Sequence, residues 1–178
     1  MKKDIIMIPN IIGYHTNAPE KCIDFLNNDC IIESIDKHWL GNGMYFWDNL
    51  GNAHYWANEK KRKDNLPKVY IIRANIVVDQ MLDLTDNDII NKINDIWNQY
   101  CYRKRINSDK PLGVKLNTLF KFYSNFHSNY KVIKAVGYYK DHKLHNFFID
   151  SNVSSQVKTI YCVKCSSKII DKMKHLEV

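Results

Sequence analysis

The sequence predicts an α+β domain, and the order of its segments is the main reason. Most segments rich in β-branched and aromatic residues lie before residue 87 or after residue 130, and the stretch between them reads as amphipathic helices. Strands and helices therefore do not alternate regularly, as they would in a doubly wound sheet. The length of 178 residues suits one unit, so we expect a single domain spanning residues 1–178.

The first third is expected to combine short strands with two helices. The expected elements before the second helix are a strand at 11–17, a helix at 18–28, a strand at 30–35 and an extended segment at 44–47. Pro19 lies near the first turn of the first helix, where proline is tolerated. Asn49 is a favourable N-cap for a second helix, which begins near Leu50 and ends in the basic run 60–63.

The elements after residue 67 are predicted from the same residue patterns and capping residues. The run 68–78 is dense in β-branched residues and predicts a strand, which a short extended segment at 81–86 follows. Thr85 or Asp86 caps a long helix that reaches about Lys104. The other expected elements are an amphipathic helix at 114–127 and strands at 131–139, 146–150 and 158–165.

Composition and charge narrow the classes of partner. The chain has 26 Lys plus Arg against 19 Asp plus Glu, a formal net charge of +7 that favours polyanionic partners. A lysine-rich proteome would produce the same excess. No apolar run is long enough to span a bilayer, and residues 1–12 lack a signal-peptide pattern, so we expect a cytoplasmic protein without a membrane partner. The five cysteines are too sparse for a disulfide framework and are expected to be reduced.

The segment "GYHTN" at 13–17 ends the first strand and contains side chains that can hydrogen-bond a ligand: Tyr14, His15 and Thr16. A histidine at the end of a buried strand is often a core residue whose ring bonds a backbone carbonyl. A binding role for His15 therefore needs a second element nearby.

The stretch "GNGMYFWDNLGNAHYWA" supplies that element. Gly41 and Gly43 permit a tight turn and a close approach of the backbone to a ligand. Tyr45 lies on the short strand that follows the turn, and Tyr55 lies on the next helix. Two tyrosines at one cleft can hold a flat heteroaromatic ring, since offset stacking contributes roughly 0.5–1.5 kcal/mol beyond burial. The other aromatic residues of the stretch are expected to pack in the core: Phe46, Trp47 and Trp56.

Together these two segments resemble ADP-ribosyltransferases of the His–Tyr–Glu class, which includes diphtheria toxin and the poly(ADP-ribose) polymerases. That class has a strand with a His beside a small hydroxyl residue. A Gly-x-Gly-aliphatic-Tyr-Phe segment follows and leads into a helix with a second Tyr. The likeness is greatest to small bacterial and phage-borne members of the class.

The matching positions fall in the region 10–60. They are His15 and Thr16 in the first motif, and Gly41, Gly43 and Tyr45 in the second. Tyr55 matches the tyrosine of the helix, with one residue fewer between the two tyrosines than the class has.

The resemblance implies a split antiparallel β-sheet core with flanking helices and a cleft for NAD⁺ between two small sheets. His15 would bond the 2′-hydroxyl of the nicotinamide ribose, and the backbone of Gly13 or Tyr14 would bind the carboxamide. Tyr45 and Tyr55 would stack against the nicotinamide. The cofactor-binding residues that the resemblance implies are Gly13, Tyr14, His15, Thr16, Gly43, Tyr45 and Tyr55.

Cleavage of the N-glycosidic bond develops positive charge on the ribose, which a third catalytic group should stabilise. The class places a Glu, sometimes a Gln, at the start of a late strand, and the segment 154–165 contains no Glu. Alternation along this strand puts four side chains on one face: Gln156, Lys158, Ile160 and Cys162. We therefore expect Gln156 to act with His15 and Tyr45, and Lys158 is the alternative.

The resemblance thus implies a mono-ADP-ribosyltransferase with NAD⁺ as substrate and a protein or nucleic acid as acceptor. It would be a toxin or effector of a toxin–antitoxin or phage-defence system, and whether an antitoxin or inhibitor protein binds it stays open. A Gln in the third position favours single transfer over polymer synthesis. Acceptor choice would lie in the helical middle, about 86–127. No metal is expected.

A non-catalytic binding module is the alternative class. It would be a basic nucleic-acid-binding domain or a zinc-stapled one. In the transferase, the basic runs 60–63 and 102–105 would line an acceptor groove, or they are solvated helix ends. A zinc-stapled module would use two ligand pairs, His142 with His145 and Cys162 with Cys165. Cys162 and Cys165 lie on one predicted strand, where successive ligands seldom converge on one metal ion, so the zinc hypothesis is weaker.

Overall fold

A computed structural model describes residues 9–138 and 157–178. The strands are β1 Asn10–Asn17, β2 Met44–Trp47, β3 Tyr70–Val77, β4 Met81–Asp83, β5 Val132–Tyr138, β6 Val157–Val163 and β7 Ile169–Glu177. The helices are α1 Pro19–Asn27, α2 Leu50–Asp64, α3 Asn87–Lys104, α4 Leu112–Phe122 and α5 Ser124–Asn129. The predicted α+β class is confirmed.

Within the described ranges, seven strands form one sheet in the order β4-β5-β6-β2-β1-β3-β7. Their pairing is antiparallel except between β4 and β5, which are parallel. β1 pairs with β3 along its whole length but with β2 at a single position, Tyr14 opposite Trp47. The sheet is therefore continuous rather than two separate small sheets, and it is narrow at the β1–β2 junction.

Two hydrophobic clusters lie against the sheet. Neighbouring residues of a strand point to opposite faces, so Ile71 and Ile72 of β3 belong to different clusters. The helical residues of the first cluster are Ala53, Ala57, Trp97, Cys101, Leu116, Leu119 and Phe126. Cys22 and Phe25 of α1 belong to the second cluster. The sheet is thus covered from both sides, and β2 and β1 are neighbouring strands in its interior.

The helix ends follow the predicted caps. The Asn49 side chain accepts a hydrogen bond from the Asn52 N–H and caps α2. Asp86, rather than Thr85, caps α3, because its side chain accepts from the N–H groups of the two residues after Asn87. Among the helices of residues 9–138 and 157–178, none combines the length and apolar character needed to cross a bilayer.

The strand expected at 30–35 does not form. Ser34 makes one isolated bridge with Gly43, and Ile35 is 83% exposed, so no neighbouring strand covers this segment. The chain instead turns through a loop, residues 36–43, that leads into β2. We call this segment the entry loop.

Two further differences have local causes. The helix expected at 114–127 is divided into α4 and α5, because Tyr123 adopts an extended conformation between them. β7 was not predicted, since its sequence is mostly polar and it lies at the sheet edge beside β3. The strand expected at 146–150 falls outside the described residues.

The glycines of the entry loop are required by geometry. Gly41 has φ = +76° and Gly43 has φ = +153°, a region that disfavours residues with a side chain. A Cβ at Gly41 would lie 2.3 Å from Asn117 Oδ1, and one at Gly43 would lie 2.6 Å from Cys162 Sγ. The Gly-x-Gly pattern thus lets the loop pass against α4 and β6 before β2 begins.

This geometry predicts that Gly41→Ala destabilises the fold. We expect the free energy of unfolding to fall by roughly 1–3 kcal/mol, since the positive φ and the steric overlap both oppose the new methyl group. Urea denaturation measures the change. Gly51→Ala in α2 is the control, because its Cβ would meet only Asn49 Oδ1 at 3.3 Å. Equal losses in the two variants would contradict the steric role of Gly41.

Candidate active-site cavity

A cavity of about 280 Å³ lies between the end of β1, β2, the entry loop and α2. β1 contributes His15, Thr16 and Asn17, and β2 contributes Tyr45 and Trp47. Ligand sites are concave and combine apolar surface with polar groups that fix orientation. Of the described residues that line this cavity, four are aromatic, Trp39, Tyr45, Trp47 and Trp56, and the others are polar or charged.

The hydrogen bonds of His15 fix its tautomer, and its burial keeps the ring neutral. Its Nδ1 lies 2.8 Å from the Tyr45 carbonyl oxygen, and its Nε2 lies 3.2 Å from the Asn17 amide nitrogen. A carbonyl can only accept, so Nδ1 carries the hydrogen and Nε2 accepts from Asn17. The pKa of His15 is lowered from 6.5 to about 4, mainly because the ring is buried; the Tyr45 carbonyl opposes the shift, and the positive charge of Lys60 contributes to it. The ring is therefore a neutral acceptor near pH 7.

Tyr45 is fixed by the entry loop. Its hydroxyl oxygen accepts a hydrogen bond from the Leu40 N–H at 3.0 Å. The hydroxyl can donate to the Gly41 carbonyl at 2.7 Å or to Asp36 Oδ2 at 3.1 Å. Burial raises the pKa of Tyr45 above its ordinary value, so the phenol stays protonated. The ring is thus positioned before any ligand arrives.

Tryptophans form the aromatic wall of the cavity. The rings of Trp47 and Trp56 stack with centroids 4.9 Å apart and planes 4° apart. Trp39 meets Trp56 edge to face at 5.9 Å. Sequence reasoning placed Trp47 and Trp56 in the core alone, whereas both line the cavity. Phe46 does lie in the core.

Tyr55 is not among the residues that line the cavity. Its side chain is 46% exposed, and its ring contacts Trp56 edge to face at 5.7 Å. The expected pair of Tyr45 with Tyr55 around one ligand ring is therefore not assembled. Successive side chains of a helix are about 100° apart, so Trp56 points into the cavity where Tyr55 was expected.

Three other predicted residues lie beside the cavity rather than in its lining. A Cβ at Gly13 would meet Ile76 Cδ1 at 2.5 Å, so that position faces the core. The Tyr14 ring packs edge to face on His175 at 5.6 Å. Gly43 lies against β6, whereas Thr16 is buried and lines the cavity. The suggested carboxamide contact concerns backbone atoms of Gly13 or Tyr14, which adjoin His15 in β1.

Of the two candidates for the third catalytic position, Gln156 lies outside the described residues. Lys158 lies on β6 and is 7% exposed. Its Nζ is 5.2 Å from the ring centroid of Trp39 and 5.6 Å from that of Trp56. The start of β6 thus lies next to the aromatic wall, because β6 pairs with β2.

The cysteines of the zinc alternative have separate neighbours. The Cys162 thiol donates to the Gly41 carbonyl oxygen at 3.8 Å, and Cys165 Sγ lies 3.1 Å from Ser167 Oγ. No group of three or more His, Cys, Asp or Glu converges within residues 9–138 and 157–178. His142 and His145 fall outside those ranges.

Sequence reasoning missed several cavity residues. Asn17 follows His15 by two positions on a strand, a spacing that puts both on one face and could have identified it. Asp36 Oδ1 accepts from the N–H groups of His38 and Trp39 at 2.6 and 2.8 Å, which shapes the entry loop. No local pattern marks Asp36, because its role depends on where the loop lies. The remaining cavity residues missed from the sequence are Ser34, Trp39, Glu59 and Asp64, whereas Lys60 and Lys63 belong to the basic run that was considered as a groove lining or a solvated helix end.

Compared with known proteins, the chain matches no family model, no curated protein and no solved structure. Its function must therefore be inferred from the cavity together with the sequence resemblance. The cavity offers a neutral imidazole, an ordered phenol and an aromatic wall within one space.

The state of His15 predicts how stability depends on pH. The pKa of His15 is lower in the folded protein than in the unfolded chain, so the unfolded chain binds more protons between pH 6.5 and about 4. Stability should therefore fall as the pH is lowered through this window. Each unit of pKa shift corresponds to about 1.4 kcal/mol, so the loss approaches roughly 3 kcal/mol.

His15→Gln is the control, because it keeps the other titrating groups and removes the imidazole. Urea denaturation of both proteins at pH 7.5, 6, 5 and 4.5 measures the difference. The unsubstituted protein should lose stability more steeply than the variant. Parallel profiles would show that His15 does not titrate as its burial requires.

Proposed function

We propose that this chain is a mono-ADP-ribosyltransferase that transfers ADP-ribose from NAD⁺ to a macromolecular acceptor. The observation that supports it best is the hydrogen bond from His15 Nδ1 to the Tyr45 carbonyl, which links the two segments of the resemblance at one cavity. The same bond leaves Nε2 as an acceptor for a ribose hydroxyl. NAD⁺ would be a substrate, and the proposed mechanism needs no metal.

The nicotinamide ring would lie against Tyr45 and the aromatic wall. Pyridinium is flat and cationic, so it gains both stacking and cation–π attraction from aromatic side chains. In the class, the aromatic residue of the helix lies one position farther from the strand tyrosine than Tyr55 lies from Tyr45. Trp56 stands at that separation from Tyr45 and lines the cavity, so we assign the stacking role to Trp56.

The ribose would be held by β1. Its 2′-hydroxyl would donate to His15 Nε2 and replace the Asn17 amide, which donates to that nitrogen at 3.2 Å, because the nitrogen has a single lone pair. Thr16 lines the same space and offers a hydroxyl group. Because His15 is neutral near pH 7, it accepts this hydrogen bond without adding a positive charge next to the reacting ribose.

In the reaction, the bond between ribose C1′ and the nicotinamide nitrogen breaks, and its electron pair leaves with neutral nicotinamide. An acceptor nucleophile forms a new bond to C1′ and loses its proton. Gln156 is our choice for the group that orients the acceptor or stabilises the charge on the ribose. A cation at Lys158 would oppose the positive charge that develops on the ribose, which makes Lys158 a less suitable catalytic group. Its side chain is buried next to Trp39 and Trp56.

The biological setting belongs to the same proposal. NAD⁺ is an intracellular metabolite, so we place the protein in the cytoplasm as a toxin or effector of a toxin–antitoxin or phage-defence system. The acceptor is a protein or a nucleic acid. A purely nucleic-acid-binding role has less support, because it gives no part to the hydrogen bond between His15 and Tyr45 or to the cavity that both residues line.

Labelled NAD⁺ tests the proposed activity. The protein is incubated with NAD⁺ carrying ³²P in the phosphate of its adenylate half and with cell lysate, and samples are treated separately with protease and nuclease. We expect label in one macromolecular pool, release of nicotinamide, and loss of both with His15→Ala. Absence of both transfer and nicotinamide release from the unsubstituted protein would contradict the proposal.

Neighbouring aromatic residues of α2 provide a matched test of the binding mode. Trp56→Ala should raise the Kd for NAD⁺ by about 5- to 30-fold, since stacking and cation–π contacts together contribute roughly 1–2 kcal/mol. Tyr55→Ala should change the Kd by less than about threefold, because that ring is not part of the cavity lining. Calorimetric titration measures both. A larger effect at Tyr55 would refute the assignment of Trp56.

A further inference from the structure

Two lysines stand at the edge of the cavity on one face of α2. Lys60 and Lys63 both line the cavity, whereas Lys61 and Arg62 between them do not. Residues three apart in a helix are neighbours on its surface, so the two ammonium groups can act on one ligand. Trp56, one turn earlier on the same face, belongs to the aromatic wall.

Both lysines have carboxylate partners that are easily exchanged. Lys60 Nζ lies 2.8 Å from Asp64 Oδ2, and Lys63 Nζ lies 4.0 Å from Glu59 Oε2. The lysine side chains are 29% and 58% exposed. Ion pairs of this kind within an exposed helix contribute little to stability and are screened by salt. The ammonium groups can therefore turn from these carboxylates to a more highly charged ligand.

The lysines also lie on the appropriate side of the cavity. Lys60 is close enough to His15 for its positive charge to lower the pKa of the imidazole. Lys63 Nζ is 5.7 Å from the ring centroid of Trp56. The two ammonium groups thus extend from near the expected ribose contact along the aromatic wall, and their carboxylate partners Glu59 and Asp64 line the same edge. In a dinucleotide, the diphosphate is attached to the same ribose through its 5′-carbon.

We infer that Lys60 and Lys63 bind the diphosphate of NAD⁺, an inference that rests on the proposed function. Each lysine supplies donors to phosphate oxygens, and charge-assisted hydrogen bonds of this kind are stronger than neutral ones. Binding exchanges the contacts with Asp64 and Glu59 for contacts with the dianion. The cavity therefore selects a dinucleotide over the corresponding nucleoside, nicotinamide riboside.

The inference is tested by comparing two ligands and two double variants. NAD⁺ and nicotinamide riboside are each titrated calorimetrically at 50 and 300 mM NaCl. Three proteins are compared: the unsubstituted chain, a double variant with Lys60→Gln and Lys63→Gln, and a double variant with Lys61→Gln and Arg62→Gln. The last pair is the control, because it removes the same charge from the same helix at positions that do not line the cavity. Circular dichroism confirms that all three proteins are folded.

We expect the Lys60 and Lys63 double variant to bind NAD⁺ at least about tenfold more weakly, with a smaller dependence on salt. Its affinity for nicotinamide riboside should stay within about twofold of the unsubstituted protein, because the riboside carries no phosphate. The control should retain the affinity of the unsubstituted protein for both ligands.

Two results would overturn the inference alone. One is an equal loss of NAD⁺ affinity in both double variants. The other is an unchanged or equally weakened affinity for the two ligands in the Lys60 and Lys63 variant. In either case the unsubstituted protein still binds NAD⁺, so the proposed function stands. If the unsubstituted protein binds neither ligand, the proposed function and the diphosphate contact both fail.

Discussion

The hydrogen bond from His15 Nδ1 to the Tyr45 carbonyl oxygen is the interaction on which the site depends. It crosses the β1–β2 junction, where the two strands otherwise pair at a single position. It joins the two halves of the sheet, brings the two sequence segments together and decides which ring nitrogen carries the hydrogen. Without it, only the Asn17 amide would bond the buried ring, and no carbonyl would hold the hydrogen on Nδ1.

The rest of the structure keeps that bond in place. Asn117 of α4 accepts from the Asn42 N–H at 2.7 Å and donates to the Asp36 carbonyl at 2.8 Å. Lys164, which follows β6, donates to the Leu40 carbonyl at 3.0 Å. These contacts hold the entry loop that in turn positions the Tyr45 hydroxyl. The helical middle of the chain thus supports the cavity, in addition to any part it takes in acceptor choice.

Local sequence patterns predicted the elements that carry the site better than the side chains within it. β1, β2 and α2 were expected near their observed bounds, because alternation and the Asn49 cap are local signals. Helical spacing alone predicts that Trp56 shares a face with Ala53 and Ala57, which are buried, so its inward position follows from the sequence. The assignment of Tyr55 to the nicotinamide, in contrast, came from the resemblance. Carboxylates such as Asp36 reach the cavity only through the path of the entry loop, which no local pattern records.

The most direct test of this account is the protonation state of the His15 ring, observed by ¹⁵N nuclear magnetic resonance during a titration with NAD⁺. At pH 7 the spectrum should show hydrogen on Nδ1 and none on Nε2, and NAD⁺ should shift the Nε2 resonance while Nδ1 stays protonated. A ring with hydrogen on Nε2, a doubly protonated ring, or a His15 signal that does not respond to NAD⁺ would contradict the account.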